Sequence, residues 1–214
     1  NKYDIMFWAD EVITGFGRTG NDFGCTTMGI DSPDMMTFAK QLSSAYMPIS
    51  ASAIRRDVYD AMIDQTASAG AFGHGYTYSG HPVACAVALK TQQIFQRDQI
   101  FDKAAVTGEY LQKRLTEFAD HPLVGEVRGR GLLGAIELVA NKQTGEPFVG
   151  GAVGGYAQKM AQDNGLLIRA VAGSSLGFCP PLIISNDQID EMMAIVAVAL
   201  DATLQHCHRE NLLV

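Results

Sequence analysis

Apolar positions along this chain follow two rhythms. "DIMFWAD", residues 4–10, sets five consecutive apolar residues between two aspartates, the mark of a strand buried on both faces in a parallel sheet. Residues 14–34 are rich in Gly, Thr, Asp and Ser and read as a long loop. "DMMTFAK" predicts a second short strand ending at Lys40, and "SASAIRRDVYDAMI" a strand edge followed by a helix. "QTASAGAFGHGYTYSG" is loop-like. From His81, "HPVACAVALKTQQIFQRDQI" predicts a helix with Pro82 in its first turn, and "FDKAAVTGEYLQKRLTEFAD" predicts another.

Between residues 110 and 120 the character changes. "LVGEVRGRGLLGAIELV" reads as strand, Gly-rich bend and strand, and "GGYAQKMAQDNG" as a helix stopped by Gly165. "LLIRAV" and "SLGFCPPLII" are strand-like. In "SNDQIDEMMAIVAVALDATLQ", Ile189, Met192, Met193, Val196, Leu200 and Leu204 line one helical face behind polar capping residues. The pattern predicts the end of an α/β domain, residues 1–112, followed by a small α+β domain, residues 113–214.

Composition narrows the function classes. The chain has 214 residues, 47% of them hydrophobic and 18% charged, which suits a globular protein with a real core and argues against disorder. A net charge of −7 disfavours nonspecific nucleic-acid binding and attachment to anionic membranes. No apolar run approaches a membrane span, and no signal-peptide pattern opens the chain. Cys25, Cys85, Cys179 and Cys207 form no C-x-x-C pair, so the expectation is free, mostly buried thiols in a reducing cytoplasm. His206, Cys207 and His208 are adjacent, but neighbouring side chains on a helix diverge, which argues against a metal site. The chain opens at Asn1 directly on a strand-like segment, and the expectation is a piece of a longer protein.

Gly15, Gly17 and Gly20 in "GFGRTG" match G-x-G-x-x-G, the spacing of a dinucleotide-binding turn. That turn needs a helix directly after it to hold the pyrophosphate, and "NDFGCTTMGIDSPD" carries too much Gly, Pro and Asp to be one. A second match, Gly129, Gly131 and Gly134, runs into the strand-like "AIELV". The glycines are therefore expected to shape a loop.

Asp10 and Lys40 each stand just past an apolar strand, where ligands of open α/β sheets gather. A lysine can form a Schiff base with an aldehyde cofactor, and a carboxylate can keep a pyridinium nitrogen protonated. Spacing alone favours the plainer reading, an Asp that caps a turn and a solvated Lys.

The wording of the motifs shifts that balance. "DEVITGFGRTG", "FAKQLSSAYMPISA" and "FGHGYTYSGHPVACAVAL", in this order, resemble the class III pyridoxal-phosphate-dependent aminotransferases. "GEVRGRGLLGAIEL" and "FCPPLIIS" extend the likeness through almost the entire chain. "AKQLSSAYMPISA", with Ala45 where many relatives carry Gly, is most similar to the omega-amino-acid or amine:pyruvate branch. The resemblance implies the C-terminal part of a fold type I large domain plus the small domain. It implies Lys40 as the Schiff-base lysine and proton carrier, Asp10 as the partner of the pyridine nitrogen, and Val12 against a ring face. Val12 is read almost as well as an ordinary core valine.

Further implications are finer. Thr77 matches a threonine that binds the cofactor phosphate of the neighbouring subunit, which implies a homodimer with shared sites. Arg169 aligns with a mobile arginine that binds substrate carboxylates, a surface arginine being the plain alternative. Arg128 and Arg130 are expected to serve the small domain's structure, and His74 and His81 to be loop and helix-start residues.

The expected activity is transfer of an amino group from an amine or omega-amino acid to pyruvate through pyridoxamine phosphate. Alternatives are a GABA, ornithine or diamine aminotransferase using 2-oxoglutarate, an aminomutase, or a non-catalytic remnant serving as an interaction module. The family's phosphate loop and ring-stacking aromatic belong upstream of the aspartate motif. The isolated 214 residues are accordingly expected to bind cofactor poorly and to be inactive alone.

Overall fold

A computed structural model describes Tyr3 and residues 5–214. They fall into two compact units, Asn1–Asp102 and Lys103–Val214.

The first unit carries a three-stranded sheet. Strand β1 (Trp8–Asp10) pairs in parallel with β2 (Met35–Phe38), and β2 pairs antiparallel with β3 (Ala51–Ile54). Between β1 and β2 lies the glycine loop with one short helix, α1 (Gly24–Thr27). Helix α2 (Arg56–Ala69) follows β3, and α3 (Pro82–Arg97) begins behind His81 with Pro82 in its first turn, where a missing N–H costs nothing.

The parallel pairing agrees with the pattern of "DIMFWAD", but the burial does not. Ala9 is buried, whereas Ile5, Met6, Phe7 and Trp8 are between 45% and 75% exposed. Among the described residues β1 is an edge strand with a partner on one side only, so a run suited to two-sided burial is covered on one. The second strand also stops short: it ends at Phe38, and Lys40 opens a 3₁₀ turn through Leu42.

The second unit is α+β. Helix α4 (Ile100–Thr116) leads to a sheet in the order β4 (Val124–Arg130), β5 (Leu133–Asn141), β8 (Ser175–Phe178), β7 (Arg169–Val171), with the short β6 (Glu146–Pro147) on β5. Helices α5 (Ala152–Asp163) and α6 (Asn186–Arg209) complete it. Strand β5 alternates between half-buried and buried positions along Leu133–Leu138, as a half-covered strand should. Its inward Ile136 and Leu138 join Leu176 and Phe178 of β8 and Ile189, Met193, Val196 and Leu200 of α6 in the core. Leu204, placed on the same stripe by the sequence pattern, is only half-buried. Of "LLIRAV" and "SLGFCPPLII" only Arg169–Val171 and Ser175–Phe178 extend as strands, because Pro180 and Pro181 cannot donate to a ladder.

The second glycine triplet lies in the β4–β5 hairpin, where Gly129 faces Gly134 and Gly131 occupies a positive φ of 56° in a two-residue loop. Gly108 of α4 rests against it: a Cβ there would stand 2.6 Å from the Gly131 Cα. Gln112 of α4 donates to the carbonyls of Gly131 and Leu133 at 2.7 and 3.1 Å. These glycines serve close packing of helix on hairpin.

All four cysteines are free, Cys25 and Cys207 buried but Cys85 and Cys179 exposed, so only half of them meet the expectation of burial. Among the described residues no helix is long and apolar enough to cross a membrane, and no His, Cys, Asp or Glu cluster has metal-site geometry.

Candidate active site

Alternation along β1 decides what its end presents. Trp8 and Asp10 face one side and are exposed, while Ala9 and Glu11 face the other and are buried. Asp10 stands opposite Thr37 in the parallel register, and Lys40 follows three residues later, at the start of the 3₁₀ turn after β2. Asp10 thus ends β1 and Lys40 follows the carboxyl end of the adjacent parallel strand β2, the edge of the sheet where ligands of open α/β sheets gather.

The Asp10 carboxylate is oriented. Its Oδ1 accepts from the Val12 backbone N–H at 3.1 Å and from the Thr37 hydroxyl at 3.4 Å, so Oδ2 makes no bond among the described residues. Val12 is half-buried beside it. Lys40 is exposed and has φ of 42°, left-handed backbone that non-glycine residues rarely adopt. Ser44 and Ala45, at 50° and 62°, share the condition. Three such residues within six positions mark a turn whose shape is imposed by its surroundings.

The loop between Asp10 and β2 is built around Glu11. Its carboxylate, 2% exposed, accepts from the backbone N–H groups of Gly24 and Cys25 at 2.8 and 2.7 Å and from the Thr14 hydroxyl. Burial pushes its pKa up, but the bonds from Thr14, Cys25 and Gly24 outweigh that and hold it below the usual carboxylate value of 4.5. Beside the same carboxylate, burial first and Glu11 second push the Cys25 thiol up to about 11. Phe16, Phe23 and Phe38 close on one another with ring centroids 5.6–5.9 Å apart, fastening the loop to β2. Here "GFGRTG" forms turns and no helix follows at once; α1 begins at Gly24 and spans four residues. A dinucleotide turn is therefore ruled out by geometry.

Thr77 lies exposed in the turn before α3, held by the Ser79 N–H on the Tyr76 carbonyl and the Tyr76 N–H on the Ser79 hydroxyl. Arg169 belongs to the second unit, exposed at the start of β7 opposite Gly177. Arg128 pairs with Glu126 at 2.9 Å and with Glu137 across the hairpin, a structural role. His81 sits at the start of α3.

Two residues that matter here had weak sequence signals. Glu11 is one of two adjacent acids, and only the alternation of β1 tells which is buried. Gln92 lies in α3, 52 positions after Lys40, and its side chain donates to the Gln41 and Leu42 carbonyls.

The model of the class III aminotransferases ("Aminotransferase class-III") matches residues 1–200. The chain belongs to the class III aminotransferases. A putrescine–pyruvate aminotransferase of Pseudomonas aeruginosa is 48% identical over 203 residues, covering 94% of this chain and 43% of the relative. A chloroplastic gamma-aminobutyrate transaminase of Solanum lycopersicum is 43% identical, covering 94% of this chain and 39% of the relative. Among solved structures, the omega transaminase of Pseudomonas jessenii in complex with PMP superposes with a TM-score of 0.90 at 47% identity, covering 95% of this chain and 45% of that one. This class III chain thus spans less than half the length of the relatives it matches, and its mixed α/β fold is that of the corresponding part of pyridoxal-phosphate-dependent transaminases.

The residues present suit pyridoxal phosphate. An exposed amine in the turn after β2 and an anchored carboxylate with one oxygen spare at the end of β1 are the groups an aldehyde and a pyridine nitrogen require.

Proposed function

We propose that the complete protein is a pyridoxal-phosphate-dependent transaminase that moves an amino group from an amine or omega-amino acid to pyruvate, with pyridoxamine phosphate as the carrier form. Asp10 at the end of β1, with Lys40 opening the turn after the parallel neighbour β2, supports this reading. The relatives named for putrescine–pyruvate transfer and for omega transamination support the donor and acceptor classes.

The cofactor supplies an electron sink when bound. The chain's own residues do the rest. Lys40 would hold the cofactor through its amine, and that amine is the group that would serve as proton acceptor and donor there. Asp10, steered by Val12 and Thr37, turns its free oxygen to the ring nitrogen and keeps the proton there. Val12 offers an apolar contact to one ring face. Arg169 receives a substrate carboxylate through its guanidinium fork.

Thr77 binds the phosphate of a partner's cofactor in a homodimer. The loop that carries it supports this: Phe72, Tyr76 and Tyr78 are 68–78% exposed, an apolar patch of the kind that marks protein interfaces. Residues 1–112 form the C-terminal part of the cofactor-binding domain and 113–214 the small domain. A reducing cytoplasm suits four cysteines that form no disulfide.

Borohydride reduction of the full-length holoenzyme, followed by peptide mass mapping, is expected to leave the pyridoxyl group on Lys40; an adduct on any other lysine overturns the assignment. Half-reactions of the pyridoxamine form with pyruvate and 2-oxoglutarate decide the acceptor. Pyruvate should react faster, and the reverse order would favour the 2-oxoglutarate enzymes.

A further inference from the structure

Helix α3 reaches the lysine turn through one side chain. Ala84, Ala88 and Gln92 form an i, i+4, i+8 row on the helix. The two alanines are buried and bring the helix close, and Gln92, half-buried, ends the row. Its Nε2 donates to the carbonyls of Gln41 and Leu42 at 3.3 and 3.0 Å, the two residues directly after Lys40.

The turn it grips is strained. Lys40, Ser44 and Ala45 all hold positive φ, a conformation that crowds the Cβ of any non-glycine residue and persists only when neighbours impose it. Local bonds impose part of it: the Lys40 carbonyl accepts from Ser43 N at 3.2 Å and Ala45 N at 3.4 Å, and the buried Ser43 hydroxyl donates to the Met47 carbonyl at 2.7 Å. These bonds stay within residues 40–47 and shape the turn without fixing it in space. Gln92 ties the turn to an element 50 residues away.

We propose that Gln92 is a positioning residue for Lys40, holding the strained turn so that the amine stands at the carboxyl edge of β2. This rests on the reading of Lys40 as the cofactor lysine. Gln92 acts through its bonds to the Gln41 and Leu42 carbonyls.

The test uses the full-length protein with Gln92→Met, which keeps length and removes the donor, and Gln92→Glu, which sets a carboxylate against two carbonyl oxygens. In the cofactor-free protein, amide hydrogen exchange across residues 40–47 should quicken about fivefold in Gln92→Met, the weight of one net hydrogen bond, and more in Gln92→Glu. Exchange in β1 and β5 should stay as in the wild type. In the holoenzyme, kcat should fall while KM for the amine stays within about twofold, since the substrate's own contacts are untouched. Unchanged exchange at 40–47 in both variants, or a rise spread evenly over the chain, overturns the inference. Borohydride mapping separates it from the reading beneath. An adduct on Lys40 with unchanged exchange removes Gln92 alone, and an adduct on another lysine removes the role of Lys40 and the positioning inference with it.

Discussion

Ala45 shows how a single backbone angle connects sequence to site. Its φ of 62° places it in left-handed backbone, where a Cβ is crowded by the following carbonyl oxygen. Glycine is free of that penalty but loses more entropy on folding, so the two effects partly cancel. Relief of about 1–2 kcal/mol against about 0.5–1 kcal/mol of added chain entropy leaves Ala45→Gly stabilising by up to about 1.5 kcal/mol. Urea denaturation followed by circular dichroism should show a higher midpoint, and a lower one would mean that the turn imposes no strain at this position. The adjacent acids of "ADEV" divide their work by pleat alone: Asp10 opens to the carboxyl edge, and Glu11 turns inward onto the amides of Gly24 and Cys25. Composition cannot separate them, because both are short acids beside the same strand; the period of two separates them.

At the scale of the element, α6 is the part whose sequence states its structure most fully. Ser185 accepts from the Gln188 N–H at 3.2 Å, and the Gln188 side chain accepts from the Ser185 N–H at 3.0 Å, a complete capping box. Behind it Ile189, Met192, Met193, Val196 and Leu200 are buried along the predicted face. Ser185→Ala should cost about 1 kcal/mol through loss of the cap, read as a lower urea midpoint. A second substitution, Gln188→Ala, should add less than its own single cost because the two bonds are reciprocal. Full additivity of the two would show that the box does not act as a unit. Strand β1 is the opposite case. Its five apolar residues predict two-sided burial, and its partner, direction and register are as a parallel strand requires, yet most of the run is exposed. An apolar run reports what a strand can be covered by; which neighbours stand beside it is decided elsewhere in the fold.

At the scale of the whole molecule, the half-buried His121 and the buried Glu11 are the groups expected to govern its response to acid. In the second unit, burial holds the His121 pKa below its ordinary 6.5, against Asp201 3.5 Å away, which raises it, and with Lys142 adding to the depression. The native state thus favours neutral imidazole. Its contribution is fully present above about pH 6.5 and is lost as pH falls below that value. In the first unit, Glu11 is held below 4.5, so its contribution is present above about pH 4.5 and disappears on further acidification. Urea midpoints measured from pH 8 to pH 3 should therefore decline in two windows. His121→Asn, which keeps an acceptor for the Leu123 N–H, should flatten the upper window only, and Glu11→Gln the lower only. A profile that both substitutions leave unchanged would show that neither group controls acid stability.

The sequence by itself determined the order and type of nearly every element, the loop character of the first glycine motif, and the membership of Asp10 and Lys40 in one family pattern. These follow from local physics: periodicity, capping, turn chemistry and motif spacing are read within a few residues. Tertiary structure alone decided that Asp10 and Thr37 share a register and that Lys40 opens a 3₁₀ turn after the neighbouring strand. It also decided that Glu11 closes on amides 13 and 14 positions away, and that Gln92 reaches the lysine turn from 50 positions away. Such contacts depend on which surfaces meet when the chain packs, and no window of neighbouring residues contains that information.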